Sequence, residues 1–207
     1  MDASGWDKKF DVPDYIYTKD VNRFVKELCE PLIENIGPVG KVIDLAGGEG
    51  RNSIWFAEQG WQAENIDFSS KALTKFLAFA EERHVSVNCF ANRADATGFE
   101  SVLTPVDIGV CAYLQIPQSD LQDALDNLIE NVRPGGYLVG VWHALENLES
   151  GFGGPQDPAV LPSASSMREF LEHYDLEILS LGNRDGQVQT TQGLKPSLTL
   201  VLLAKLN

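Results

Sequence analysis

Short apolar runs alternate with longer amphipathic stretches over the first two thirds of the chain. The apolar runs predict five strands, over residues 42–46, 61–66, 85–89, 106–112 and 137–142. Apolar residues at helical spacing predict helices over residues 52–58, 69–83 and 119–132. Strands that alternate with helices in this way are typical of a parallel sheet with helices on both faces.

The pattern changes after about residue 143. The elements predicted there are a long loop (145–165), a short helix (166–174) and two strands (176–181 and 198–204). Asp185 and Gly186 are predicted to lie in the turn between these strands, which no helix separates. The prediction is therefore an α/β fold: a Rossmann-like, doubly wound, mostly parallel seven-stranded sheet with an antiparallel C-terminal hairpin strand.

The first 36 residues precede this sheet. Residues 1–19 are polar but contain aromatic residues such as Trp6 and Tyr17, in which disordered tails are usually poor. We expect this segment to fold over another part of the protein. Residues 20–36 carry apolar side chains at helical spacing, and Pro31 is expected to bend or break that helix.

A glycine-rich turn follows the first predicted strand. Gly47, Gly48 and Gly50 lie between that strand and a helix that is predicted to end before Gly60. Free N–H groups at such a helix start can bind a ligand, although many similar turns bind nothing. The third glycine of the dinucleotide motif G-x-G-x-x-G is replaced by Ser53, so a pyrophosphate site is not predicted.

Three carboxylates lie at the carboxyl ends of predicted strands. Asp67 stands about 20 residues beyond the glycines, where a carboxylate accepts hydrogen bonds from the two hydroxyls of a ribose. Asp44 and Asp95 follow the first and third strands, and the alternative for both is ordinary loop capping. Together the three carboxylates favour a cationic, adenosine-type ligand without a pyrophosphate.

The composition narrows the range of ligands. The chain has 207 residues, with 16 Lys and Arg against 30 Asp and Glu, which gives a formal net charge of −14. Such a charge repels polyphosphates and anionic membranes, so neither a nucleic acid nor a membrane is expected as a partner. A small molecule is the expected substrate. The alternative is that the acidic surface serves solubility alone.

The cysteines and the N-terminal sequence bear on the compartment. Cys29, Cys89 and Cys111 form no C-x-x-C pair, so neither a disulfide framework nor a metal site is predicted. Residues 1–11 lack the basic and apolar regions of a signal peptide, and the longest apolar run, 198–204, is too short to span a bilayer. A cytoplasmic location is the expectation.

Four motifs lie at residues 42–50 (VIDLAGGEG), 66–69 (IDFS), 94–96 (ADA) and 133–136 (RPGG). Together they resemble the class I S-adenosylmethionine-dependent methyltransferases. Further features are similar to the small tellurite-resistance and thiopurine-methyltransferase-like branch of that family. These features are Trp6-Asp7 with Tyr15 and Tyr17, EGRN at 49–52, and GGPQD at 153–157.

The resemblance implies a set of residues that bind S-adenosylmethionine. They are Asp44, Ala46, Gly47, Gly48, Gly50, Arg51, Asp67, Phe68, Asp95, Ala96 and Cys111. Asp67 would hold the ribose and Phe68 would lie along the adenine. Asp95 and the backbone N–H of Ala96 would contact the adenine edge, and Cys111 would lie under the sulfonium methyl. Asp44 would lie near the amino group of the methionine moiety.

Some residues have open roles or depart from the family pattern. Arg51 is interpreted either as the partner of the methionine carboxylate or as a solvated side chain. Ala46 replaces the first glycine of the loop, which costs stability if its φ is positive. Gln115 stands where relatives often carry a histidine, so the catalytic candidates are His143, just after the fifth strand, and Gln115 itself.

The predicted function is transfer of a methyl group from S-adenosylmethionine to a small molecule by in-line displacement, a reaction that requires alignment and exclusion of water. Residues 1–207 would form one domain, with a lid (1–36), a donor-binding core (37–142) and an acceptor-side loop and C-terminal hairpin (143–207). Two alternatives stay open: a non-catalytic S-adenosylmethionine-binding regulatory protein and an NAD-linked oxidoreductase. A monomer or a homodimer is expected.

Overall fold

Seven strands form one sheet in the computed structural model, which describes residues 2–191 and 193–207. The strands are β1 (Lys41–Leu45), β2 (Gln62–Ile66), β3 (Cys89–Asn92), β4 (Val106–Ala112), β5 (Val132–His143), β6 (Leu176–Thr190) and β7 (Gly193–Leu206). Their order is β3-β2-β1-β4-β5-β7-β6. Strands β1 to β5 are parallel, and β7 is antiparallel to β5 and β6. The predicted α/β sheet with an antiparallel C-terminal hairpin is confirmed.

Helices cover both faces of this sheet. They are α1 (Ala3–Phe10), α2 (Arg23–Ile36), α3 (Arg51–Glu58), α4 (Ser70–Glu82), α5 (Gln118–Asn131), α6 (Asn147–Ser150) and α7 (Ala164–Leu171). Alternate residues of β1 enter different cores: Val42 packs in a cluster with Phe24 and Trp55, and Ile43 in a cluster with Leu125. Among the helices of the described residues, none has the length and apolar character needed to cross a membrane.

The strand order reverses between β1 and β4. From β1 the chain moves outward through β2 and β3, and it then returns to the other side of β1 with β4 and β5. In a parallel sheet this reversal opens a crevice at the carboxyl ends of the two central strands, because the following loops leave in opposite directions. The loops after β1, β2, β3 and β4 therefore meet at one edge of the sheet.

The prediction of a third strand over residues 85–89 is wrong. Ser86–Asn88 is a 3₁₀ turn, and the side chain of Val87 is 80% exposed. Strand β3 begins only at Cys89, which pairs with Ala63 of β2. Val85, Val87 and Cys89 alternate as the apolar residues of a half-buried strand do, but the side chain of Val87 faces solvent and not the core.

Two helices differ in detail from the predictions. Helix α2 is not broken at Pro31; this residue is exposed, and the opposite face of the helix is held against the sheet by buried residues such as Cys29. Helix α5 starts at Gln118, one residue before its predicted start, and its N-cap is Pro117.

The C-terminal hairpin is longer than predicted. Asp185 and Gly186 do not form a turn but lie inside β6, paired with Leu198 and Ser197 of β7. Pairing along the whole of β7 outweighs the local turn preference of an Asp-Gly pair. Strand β5 ends its pairing with β7 at His143, so the outer half of the hairpin extends past the sheet toward the crevice.

The N-terminal segment contains a helix that the sequence pattern did not predict. Helix α1 lies against the start of α4, where the Asp7 carboxylate accepts hydrogen bonds from the Ser69 hydroxyl (2.6 Å) and the Lys71 amide (3.2 Å). Phe10, at the end of α1, is 3% exposed. A carboxylate that accepts from free N–H groups at a helix start is stabilising, so Asp7 fixes α1 on α4.

Candidate functional site

A cavity of ≈ 1100 Å³ lies at the carboxyl ends of the central strands. The sheet contributes four stretches to its wall: residues 46–52, 66–68, 94–97 and 112–116. The N-terminal segment adds Trp6, Phe10, Tyr17, Thr18 and Asn22, among others. The far wall comes from His143, from the loop at Gly154, and from the hairpin residues Gln187, Val188, Ser197 and Thr199. The volume suits a ligand of nucleoside size together with a second small molecule.

The loop after β1 has a backbone that only small residues can adopt. Gly48 and Gly50 have positive φ values of 58° and 84°. A Cβ at Gly50 would lie 2.1 Å from the ring of Phe76, and one at Gly47 would lie 2.4 Å from the Asn65 Oδ1. Ala46 also has a positive φ, 53°, so its methyl group costs about 1 kcal/mol in strain. The loop therefore keeps its shape at some expense of stability.

Asp67 joins this loop to the end of β2. Its Oδ2 accepts a hydrogen bond from the Gly48 amide (2.9 Å) and its Oδ1 accepts one from the Ser69 amide (2.8 Å). Each carboxylate oxygen retains capacity for a further donor. The side chain of Asp67 is 7% exposed, and burial raises its pKa. Asn65 supports the same loop by donating to the Gly48 carbonyl (3.0 Å).

Asp44 lies under the loop and not on the cavity wall. It is fully buried, and its Oδ2 accepts from the Ser53 amide (3.2 Å) and hydroxyl (2.8 Å). Its Oδ1 has no hydrogen-bond partner, and burial raises its pKa to about 6. Ser53 occupies the third-glycine position of a dinucleotide motif, where glycine serves close packing of helix on strand, and here its hydroxyl donates to Asp44 instead.

The residues expected around an adenine line the cavity on its β3 side. Phe68, Asp95 and Ala96 all belong to the wall. Asp95 also caps its own loop, because its Oδ1 accepts from the Thr97 amide (3.0 Å) and hydroxyl (2.8 Å). Loop capping, the alternative role of Asp95, is therefore present, and it leaves the side chain at the cavity.

Cys111 is a buried residue of β4 that does not reach the cavity. It is 0% exposed, and burial raises the pKa of its thiol to about 12, so the thiol stays protonated. The five residues that follow it, 112–116, do line the cavity. Of the eleven residues expected at the S-adenosylmethionine site, nine lie on the wall, and Asp44 and Cys111 lie behind it.

His143 is held in a fixed orientation at the opposite end of the cavity. Its ring contacts that of Tyr113 (centroids 5.0 Å apart), and a Cβ at Gly154 would lie 2.7 Å from it. The Nδ1 is buried without a hydrogen-bond partner, and the residue lines the cavity. Burial lowers the pKa of His143, which keeps the imidazole neutral at neutral pH.

Gln115 supports His143 and has no free amide group. Its Oε1 accepts from the His143 amide (2.7 Å), and its Nε2 donates to the Val160 carbonyl (2.6 Å). The side chain therefore ties the end of β5 to the 3₁₀ turn Pro158–Val160. This geometry is that of a structural support and not of a proton acceptor.

The charge of the cavity is predominantly negative. The carboxylates on its wall are Asp2, Glu49, Asp67, Asp95, Asp120 and Asp123, and the cations are Lys9 and Arg51. Arg51 donates to the Thr18 hydroxyl (3.4 Å), and Lys9 donates to the Tyr17 hydroxyl (3.0 Å). Within residues 2–191 and 193–207, no group of three or more His, Cys, Asp and Glu side chains is arranged to hold a metal ion.

Sequence reasoning missed several residues of the site. Tyr113 has a positive φ of 60°, a strained backbone that places its ring beside His143. Asn65 supports the glycine loop from β2. Nothing in the local sequence marks Tyr113 or Asn65, because their partners lie on other elements. Glu49 belongs to the EGRN feature, but its bond to Ile16 was not predicted.

Comparisons with known proteins agree with this arrangement. Residues 42–136 match the family described as "Methyltransferase domain". The chain is similar to the tRNA 5-carboxymethoxyuridine methyltransferase of Escherichia coli K12, with 33% identity over 99 residues. This match covers 47% of the chain but only 38% of that relative.

Two solved structures share the fold across nearly the whole chain. TehB from Haemophilus influenzae has a TM-score of 0.72 at 18% identity, over 99% of this chain and 67% of that one. Magnesium protoporphyrin IX methyltransferase (ChlM) from Synechocystis PCC 6803, solved with bound SAH, has a TM-score of 0.70 at 18% identity. This match covers 99% of this chain and 95% of that one. At these identities the two structures bear on the fold alone.

The replacement Asp44→Asn is expected to remove a pH dependence of stability. The folded-state pKa of about 6 lies above the ordinary value of 3.8, so protonation favours the folded state. The stability that Asp44 contributes at low pH is lost as the pH rises through about 6, by up to about 3 kcal/mol. Urea unfolding measures the free energy of unfolding at each pH. Between pH 4 and pH 7.5 the free energy of unfolding of Asp44→Asn should rise relative to that of the wild type by up to this amount.

The exposed residue Asp20 provides the control, because Asp20→Asn makes the same chemical change outside the buried site. A difference from the wild type that stays constant with pH for Asp44→Asn would contradict the expected titration.

Proposed function

We propose that the chain transfers a methyl group from S-adenosylmethionine to a small molecule, because residues 42–136 match a methyltransferase domain and the fold is shared with a solved methyltransferase. The observation that carries the proposal is the pairing of the glycine loop with the Asp67 carboxylate at the mouth of one cavity. This pairing holds the glycine loop beside a carboxylate that can accept from a ribose.

The donor fits the chemistry of this end of the cavity. Asp67 has free acceptor capacity for the ribose hydroxyls, and Phe68 and Asp95 lie where the adenine would follow. Gly48 leaves space for the methionine moiety, because a Cβ there would lie 3.6 Å from the Phe10 ring of the cavity wall. Gly47 allows the loop to pack closely on Asn65 and Asp44. Arg51, at the start of α3, is placed to pair with a carboxylate. The excess of carboxylates on the wall favours a ligand with a positive charge.

The acceptor end of the cavity has different walls. Tyr113, His143, Ser197 and Thr199 offer uncharged hydrogen-bonding groups there, and the outer half of the hairpin covers them. The bound donor supplies an electrophilic methyl group on a sulfonium. The protein then has to align the acceptor with it and exclude water, which the covering segments favour.

We propose that His143 accepts the proton of a hydroxyl or amine acceptor. Contacts with Tyr113 and Gly154 restrict the orientation of the ring, and Nε2 is the proposed acceptor atom because Nδ1 is buried. The lowered pKa keeps it neutral and able to take a proton. Gln115 supports this role, because it fixes the backbone from which the imidazole projects.

A small acceptor is favoured over RNA by the charge of the cavity. Six carboxylates against two cations oppose the approach of a phosphate backbone. The E. coli relative methylates tRNA according to its name, but the match to it covers 47% of this chain. Residues of the N-terminal segment and of the hairpin line the cavity from two sides, which suits a small ligand.

The replacement Asp67→Ala is expected to weaken binding of S-adenosylhomocysteine by about 10- to 100-fold, because two charge-assisted hydrogen bonds to the ribose are lost. Calorimetric titration measures this affinity, with NAD as a second ligand that should not bind. The exposed Asp185→Ala matches the change in charge and should bind as the wild type does. If Asp67→Ala bound S-adenosylhomocysteine as tightly as Asp185→Ala does, the ribose would not be bound by Asp67.

The replacement His143→Gln is expected to lower kcat/KM for a hydroxyl or amine acceptor by about 100-fold or more, since proton transfer is lost. A thiol acceptor that is already ionised at the assay pH should change by less than about threefold. The affinity for S-adenosylhomocysteine should stay the same. A similar loss for both kinds of acceptor would argue against a base and for a packing role.

Methyl-tritiated S-adenosylmethionine tests the class of acceptor directly. We expect the label to enter a protein-free extract of small metabolites and not purified total RNA offered in parallel, because the wall of the cavity is acidic. The products are separated by acid precipitation, with and without ribonuclease. Label that precipitates and is released by ribonuclease would contradict a small-molecule acceptor.

A further inference from the structure

Glu49 connects the glycine loop to the N-terminal segment. Its carboxylate is 5% exposed and accepts hydrogen bonds from the backbone amides of Ile16 (3.0 and 3.1 Å) and Tyr17 (3.2 Å). It also forms an ion pair with Lys75 of α4 (2.9 Å), whose side chain is 15% exposed. A buried carboxylate with three donors holds them strongly, because any one left unpaired would be desolvated without compensation.

Asn52, three residues farther along, makes a second connection. Its Oδ1 accepts from the Asn22 amide (3.1 Å), and Asn22 is in turn the N-cap of α2. Asn52 is 4% exposed, so this bond is also shielded from water. Glu49 and Asn52 thus fasten the two ends of one stretch of chain, residues 16–22, to the loop.

The connected stretch belongs to a segment without helix or strand. We call residues 11–22, between α1 and α2, the strap. Its other supports lie on α4: the Tyr15 hydroxyl donates to the Lys75 carbonyl (2.9 Å), and Lys75 Nζ donates to the Asp14 carbonyl (2.6 Å). Gly50 of the loop packs closely on the next residue of α4, Phe76. One helix therefore supports the strap and the loop together.

We propose that Glu49 and Asn52 are positioning residues that make closure of the strap and binding of the donor one coupled event. Tyr17, Thr18 and Asn22 line the cavity beside the glycine loop, so the strap covers the end where the proposed function places the methionine moiety, and this inference rests on that function. A ligand that fixes the conformation of the glycine loop also fixes Glu49, and through the hydrogen bonds of Glu49 it fixes the strap. By linkage, a fixed strap retains the ligand to the same degree.

Hydrogen–deuterium exchange and ligand dissociation test this coupling in the full chain. In the wild type, S-adenosylhomocysteine should slow exchange in peptides that cover residues 15–22. In Glu49→Gln, exchange there should be about 10-fold faster without ligand, and S-adenosylhomocysteine should dissociate about 10-fold faster. Exchange in β4 and β5 should stay as in the wild type, which shows that the domain is folded.

Two further variants separate coupling from direct contact. Tyr15 does not line the cavity, so Tyr15→Phe should speed ligand dissociation two- to threefold only through the strap. Glu58→Gln removes the ion pair between α3 and Arg83 at the C-terminal end of α4, which does not involve the strap, and it should change neither rate by more than twofold.

Unchanged exchange at residues 15–22 in Glu49→Gln would overturn the role of Glu49. A loosened strap with unchanged ligand dissociation in both Glu49→Gln and Tyr15→Phe would overturn the coupling. If the wild type bound no S-adenosylhomocysteine at all, the proposed function would fail and the coupling with it. Exchange measured without ligand would still show whether Glu49 holds the strap.

Discussion

The hydrogen bond from the Gly48 amide to the Asp67 carboxylate is the interaction on which the site depends. It joins the loop after β1 to the end of β2, and it forms only because the two strands are parallel neighbours with their carboxyl ends level. The positive φ values of Ala46, Gly48 and Gly50 keep the loop open around that bond. Glu49 of the same loop accepts hydrogen bonds from the N-terminal strap. The glycine loop, the Asp67 carboxylate and the strap are therefore connected to one another.

Local patterns were enough to predict the centre of this structure. The strand, the glycine turn and the helix that ends before Gly60 follow from residues close together in the sequence, and Asp67 follows from its distance to the glycines. The two carboxylates Asp44 and Asp67 nevertheless behave differently. Asp44 sits inside β1 and lies under the loop, paired with Asn65 of β2. Asp67 lies two residues beyond Asn65, past the end of β2, and lines the cavity.

The parts that the sequence did not predict depend on distant partners. Helix α1 is amphipathic over only eight residues and gains its place through Asp7 at the start of α4. Asp185 and Gly186 carry a turn signal that pairing with β7 overrides. Gln115 stood out as a departure from the family, yet it serves as a support for His143. Its replacement of a histidine is therefore no sign that catalysis was lost.

The central claim is that S-adenosylmethionine binds along the glycine loop with its ribose on Asp67. A crystal structure with S-adenosylhomocysteine tests it most directly. In that structure we expect both ribose hydroxyls to lie within hydrogen-bonding distance of the Asp67 carboxylate. The adenine should lie beside Phe68, and the sulfur should face Tyr113 and His143. A ligand bound elsewhere in the cavity, with Asp67 contacting only Gly48 and Ser69, would contradict it.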